Sequence, residues 1–278
     1  MKTPRWLPES QIALQAISQV AELFAGDRDA THAAREKETH RDLVTEWDLL
    51  VEKQVIKILQ PHSPVIITEE QRAADQPISD ETFRRSWWLD PIDGTVNFSL
   101  GLPMYGTSLA WMEDGRFVVG AALLPAQREL YFTYGDQGVL LNGRQVQLGE
   151  KAEHLGAALV GVTFSSPKVP GRTAQARERE YQLFGRINDQ SRGAVRLGSA
   201  LTQLCYLAVG RLQAVYGAFA QGWDVGAGLA LAGQAGLEVR YVREPGTTRY
   251  HYVAGHPPVV AELASEFKNF NVQGLNRL

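Results

Sequence analysis

Trp87-Trp88-Leu89-Asp90-Pro91-Ile92-Asp93-Gly94-Thr95-Val96-Asn97-Phe98 is an apolar run that stops at two acids three residues apart. It reads as a strand delivering carboxylates to one edge of a sheet. Pro91, with no N–H and a fixed φ, suits a strand end, so Asp90 and Asp93 are expected on a turn. Gly94 permits a positive φ or close backbone approach. Thr95 can then cap a short helix whose free N–H groups point where the acids do. Two acids so close resist joint ionisation unless divalent cations neutralise them. The pattern therefore implies a metal site that also holds phosphate; an Asx turn, with both acids bonded to local backbone, is the competing reading.

The chain has 278 residues, 44% of them hydrophobic, enough for one large domain or two intimate halves. A formal charge of −3 gives no general attraction to nucleic acid or anionic membrane. Cys205 is the single cysteine, which forbids an internal disulfide and disfavours a thiolate metal site. No stretch approaches a membrane span and no signal-peptide core opens the chain, so a cytoplasmic location is expected. The six histidines show no paired zinc spacing and most read as surface or loop residues, and Gly226 and Gly228 form no dinucleotide fingerprint.

Outward from the opening stretch, Pro8 to Phe24 has helical spacing, whereas Gly26 to Arg41 is charged and small without a period and reads as a mobile surface loop. Asp42-Leu43-Val44-Thr45-Glu46-Trp47-Asp48 leads into a helix running to Leu59, with Thr45 and Asp48 spaced as a capping box. Val65-Ile66-Ile67 is a β-branched run ending at Thr68-Glu69-Glu70, again acids at a strand terminus. Beyond the opening stretch, Gly106 to Trp111, Phe117 to Leu124 and Leu130 to Tyr134 predict an antiparallel meander, with Asn142-Gly143 as a hairpin turn. From Leu159 onward strand and helix alternate. Gly198-Ser199-Ala200 stands at one helix start. Trp223-Asp224 opens an Ala/Gly-rich helix, where an aspartate could be just a cap favoured by the dipole. The layers predicted are helix, sheet, helix, sheet, helix, an α+β to α/β sandwich divided at 1–148 and 149–278.

Asp90-Pro91-Ile92-Asp93-Gly94-Thr95, Asp42 to Asp48, Gly198-Ser199-Ala200 and Trp223-Asp224-x-x-Ala227-Gly228 with Ala235-Gly236 together resemble the inositol monophosphatase family, magnesium-dependent and lithium-sensitive sugar phosphatases. The resemblance covers Asp42 to about Val239. It implies an αβαβα fold and hydrolysis of a small phosphate monoester by metal-activated water. It implies that Glu69, Asp90 and the Ile92 carbonyl hold one Mg²⁺, that Asp90, Asp93 and Asp224 hold a second, and that a third, weaker ion binds near Glu69. Asp48 and Thr95 would orient the attacking water, with Glu69 taking part in catalysis. Glu70 would play a supporting part. Gly94 and Thr95 would cradle phosphate, while Ser199, Ala200 and Asp224 would contact substrate. Lys37 matches a lysine in a loop that closes over the family's site, and homodimerisation is implied by family alone. One position departs: where the inositol enzymes carry a sugar-contacting glutamate six residues before the tryptophan, this chain has Gly217. Inositol monophosphate or a related polyol phosphate is the first expectation. A sugar bisphosphate, a nucleotide 3′-phosphate, histidinol phosphate and a non-catalytic regulatory module remain alternatives.

Overall fold

The computed structural model describes residues 6–26, 32–36, 43–63, 65–71, 78–164, 173–264 and 276–277. The chain opens with α1 (Leu7–Gly26), a short hairpin of β1 (Ala34–Glu36) and β2 (Leu43–Thr45), and α2 (Glu46–Leu59). Strands β3 (Ile66–Thr68) and β4 (Arg85–Asp93) follow, then the five-residue helix α3 (Thr95–Ser99). A meander of β5 (Gly106–Glu113), β6 (Arg116–Leu124), β7 (Glu129–Tyr134), β8 (Leu140–Leu141) and β9 (Arg144–Gln145) completes a sheet in sequence order. Within it β3 runs parallel to β4, and each later neighbour is antiparallel.

The rest of the chain alternates strand and helix. It runs β10 (Leu159–Thr163), α4 (Ala174–Gln190), β11 (Gly193–Val195), α5 (Ala200–Ala208), β12 (Ala214–Gln221) and α6 (Gly222–Gln234). Then come β13 (Glu238–Arg243), β14 (Arg249–Gly255), α7 (Pro257–Ala264) and β15 (Asn276–Arg277). These strands form a second sheet in the order β11-β10-β12-β14-β13-β15, parallel across its first three members and antiparallel beyond.

Three apolar clusters account for the layering, because each sheet face and each helix stripe must find a partner. Ala13, Ile17 and Val20 of α1 with Val51 and Val55 of α2 cover one face of the first sheet at Trp87, Leu89, Leu109 and Val119. Leu201, Leu204 and Leu207 of α5 with Val225 and Leu229 of α6 fill the space between the sheets, meeting Trp88, Phe117, Val215 and Tyr252. Leu183 and Ile187 of α4 with Val259 and Leu263 of α7 close the outer face of the second sheet. The layered α+β sandwich expected from the sequence is the observed one. In the middle layer α6 approaches closely through its glycines: a Cβ on Gly226 would lie 2.7 Å from Phe117, and one on Gly228 would lie 2.4 Å from Leu204.

Two expectations are corrected. The acids of the opening stretch do not sit on a turn beyond the strand; β4 runs through Pro91 as far as Asp93. Pro91 is accommodated because the ladder to β5 slips there: Asp90 pairs with Ser108 but Asp93 pairs with Gly106, leaving one extra residue on β4. Within 26–41, Ala34–Glu36 is a strand, its backbone groups taken up by Leu43–Thr45. Lys37 and Asp42 lie outside the described residues. Two of the histidines, His251 and His256, are buried, the latter accepting from the Ala152 N–H.

Candidate active site

A regular strand would send Asp90 and Asp93 to opposite faces, since successive side chains alternate. The extra residue reverses that parity. Trp87, Leu89 and then Ile92 face the α1/α2 layer, whereas Trp88 faces the middle layer. Asp90 and Asp93 are thereby carried to the middle-layer side together. Beyond them Gly94 takes φ 92°, and a Cβ there would lie 2.9 Å from the Met104 carbonyl and 3.1 Å from Cβ of Ser199. Gly94, not Thr95, is the N-cap of α3; Thr95 is the first helical residue, and its hydroxyl donates to the Ile92 carbonyl at 3.0 Å. The expected capping role of Thr95 is corrected accordingly: only glycine fits the left-handed position against neighbouring backbone.

The parallel pairing of β3 with β4 sets Thr68 opposite Leu89, and the Glu69 N–H donates to the Leu89 carbonyl at 3.2 Å. Glu69 is thus delivered beside Asp90. Asp224 arrives from the other direction, in the first turn of α6, where its carboxylate accepts from the Gln221 N–H in a capping box. Ser108, the cross-strand partner of Asp90, docks that helix start by donating to the Trp223 carbonyl at 2.7 Å. No local pattern marks Ser108, which the sequence reading missed. It matters because of what lies across the ladder.

Glu69, Asp90, Asp93 and Asp224, drawn from three elements, form one acidic cluster. Burial pushes the Asp90 carboxyl well above its usual range, and the neighbouring Glu69, Asp224 and Asp93 charges push it further. Asp224 is raised by burial first and then by Asp93 and Glu69. Asp93 is raised to about 7 by burial, opposed by hydrogen bonds from Ser199, Leu201 and Ala200. Such shifts mark a place where negative charge is concentrated without water to disperse it. Asp90 Oδ1 is buried without a hydrogen-bond partner. Among the described residues no group of three or more His, Cys, Asp or Glu side chains stands in metal-holding geometry. The four acids share proximity and like charge, Asp90 and Asp93 buried and Glu69 and Asp224 partly so, and an all-oxygen set of this kind fits a hard divalent cation.

Asp48 lies on α2, where its Oδ2 accepts from the Thr45 N–H at 2.7 Å and from the Thr45 hydroxyl at 2.6 Å. The hydroxyl of Ser199, at the N-cap of α5, is turned to Asp93 at 2.5 Å. Ala200 is buried and directs its N–H to the same carboxylate. Gly217 pairs across the ladder with Tyr252, whose hydroxyl lies 3.4 Å from Thr163 Oγ1. The charges of Asp93 and Asp224 add to the burial that raises the Tyr252 phenol. Tyr252 was not singled out from sequence, because only the register of β12 against β14 brings it there.

Fold and site together define a class of protein, a layered αβαβα sandwich with a cluster of acids gathered beside its middle layer. The particular membership follows from comparison: the model of the inositol monophosphatase family matches residues 7–268, and the chain belongs to that family. It is 34% identical over 262 residues to the inositol-1-monophosphatase SuhB of Mycobacterium tuberculosis H37Rv, covering 90% of this chain and 87% of that one. It is 28% identical over 282 residues to the Nus factor SuhB of Escherichia coli K12, covering 97% and 99%. Among solved structures it resembles an IMPase/NADP phosphatase complexed with Mg²⁺ and phosphate, with a TM-score of 0.71 and 18% identity over 95% of this chain and 94% of that one.

Proposed function

We propose that the protein is a divalent-cation-dependent phosphomonoesterase acting on inositol monophosphate or a related sugar or polyol phosphate. The observation that carries this reading is the one-residue bulge in β4, which turns Asp90 and Asp93 to the side from which Glu69 and Asp224 approach. Glu69, Asp90 and the Ile92 carbonyl would hold one Mg²⁺, and Asp90, Asp93 and Asp224 a second, with a third and weaker ion near Glu69. Bound there, magnesium supplies charge neutralisation for the ester and a lowered pKa for water.

The chain's own groups have separable tasks. Thr95 spends its proton on the Ile92 carbonyl, which leaves its oxygen oriented to accept from a water molecule. Asp48 Oδ2 accepts from Thr45, and relaying a water's proton to Asp48 would require the Thr95 hydroxyl to turn from the Ile92 carbonyl toward Asp48 as its oxygen accepts from that water. The N–H groups of Gly94 and Thr95, at a helix start, suit the phosphate oxygens. Gly217 offers no acceptor to a polyol, so discrimination among alcohols is expected to be weak there.

A second reading, a regulatory module that kept the fold, is favoured by the Nus-factor name of the E. coli relative. Phosphate release from inositol 1-phosphate, fructose 1,6-bisphosphate, a nucleotide 3′-phosphate and histidinol phosphate, with Mg²⁺ and with chelator, separates the two. The expected result is Mg²⁺-dependent release that Asp93→Asn abolishes, a loss of several kcal/mol of transition-state stabilisation. No release from any ester, with correctly folded protein, would leave the regulatory reading.

A further inference from the structure

We propose that Ser199 is a positioning residue that aims Asp93 for cation binding, not a contact to the substrate. This rests on the reading of Asp93 as a metal ligand. Ser199 Oγ donates to Asp93 Oδ2 at 2.5 Å, and the Leu201 N–H donates to the same oxygen at 2.7 Å. The Ala200 N–H adds to them. Three donors from the start of α5 therefore converge on one carboxylate of β4, and the positive end of that helix favours its charged form.

The Ser199 hydroxyl has nothing left to offer a ligand. Its single proton has two acceptors in reach, Asp93 Oδ2 at 2.5 Å and the Thr202 hydroxyl at 2.8 Å, of which the carboxylate is the stronger, and its oxygen receives the Thr202 N–H at 3.0 Å. The residue is 2% exposed. With Asp93 Oδ2 held by two donors from the start of α5, Oδ1 would be the oxygen turned to a cation. Gly94, adjoining Asp93, leaves room for this approach: a Cβ there would lie 3.1 Å from Cβ of Ser199. The carboxylate of the first sheet thus takes its orientation from a helix of the middle layer.

The test titrates Mg²⁺ into the purified protein by calorimetry and, in parallel, measures phosphate release. Ser199→Ala is expected to weaken cation binding about tenfold or more, as loss of a ligand's hydrogen-bonded support does, while KM for the ester at saturating Mg²⁺ stays unchanged. Ser199→Thr, which keeps the hydroxyl, should restore binding. Ser199→Gly, tolerated at an N-cap, should reproduce the loss if the alanine variant fails to fold. Unchanged Mg²⁺ affinity in the variants lacking the hydroxyl, or a rise in KM for the ester with cation affinity intact, overturns the proposal alone. An unsubstituted chain that binds no Mg²⁺ overturns the metal-ligand reading and the proposal with it.

Discussion

At position 217 a Cβ would lie 2.4 Å from Cε1 of Tyr252 and 2.7 Å from its hydroxyl, so the cross-strand ring occupies the volume a side chain would need. Glycine is enforced here by a neighbour. Gly217→Glu is therefore expected to destabilise the fold by about 1–3 kcal/mol through overpacking and to bring no preference for inositol phosphates. Combined with Tyr252→Ala it should cost less than the sum of the single changes, because each relieves the other; urea denaturation of the four proteins measures the coupling. Strict additivity would show that the ring and the new side chain do not compete. From the sequence, Gly217 was readable as a missing acceptor. Its cause was not, since nothing near residue 217 in the chain mentions Tyr252.

Single elements show which local patterns are self-sufficient. The Thr45/Asp48 spacing was legible as a capping box, and it forms: Thr45 Oγ1 accepts from the N–H groups of Trp47 and Asp48 while Asp48 Oδ2 receives the Thr45 N–H. Helix caps depend on residues three apart, so sequence displays them. Thr45→Ala should cost about 0.5–2 kcal/mol in denaturant unfolding. It should also lower kcat with little change in Mg²⁺ dependence, because the hydroxyl that holds Asp48 is gone; unaltered kcat would separate Asp48 from proton transfer. Strand β4 behaves differently. Its apolar run was legible, but whether Asp90 and Asp93 share a face depends on the register chosen by β5, where Gly106 is needed because a Cβ would meet the Leu123 carbonyl at 2.3 Å. Strand β1 has no pattern of its own and exists through pairing with β2.

Across the whole molecule, the acidic cluster sets a conflict between folding and charge that pH exposes. Asp93 is raised from the ordinary 3.8 to about 7, chiefly by burial, and Asp90 and Asp224 are raised as well. A group raised in the folded state stabilises it fully below the unfolded pKa and loses that contribution as pH climbs through the folded one. Cation-free protein should therefore lose stability as pH rises from about 4 to about 7 on this account. Mg²⁺ competes with those protons, so its stabilising increment should grow over the same range. Thermal unfolding at pH 5 and pH 8, in chelator and in Mg²⁺, checks both signs; an equal increment at the two pH values would count against cation binding by these acids. The amphipathic periods, the capping box, the hairpin glycines and the individual acids are determined by the sequence alone, because each depends on residues within a few positions of one another. The meeting of Glu69, Asp90, Asp93 and Asp224, the grip of Ser199 on Asp93 and the exclusion of a side chain at 217 were decided only by the tertiary structure. Strand register and layer packing bring together residues far apart in the chain, and no local preference encodes where a distant strand will pair.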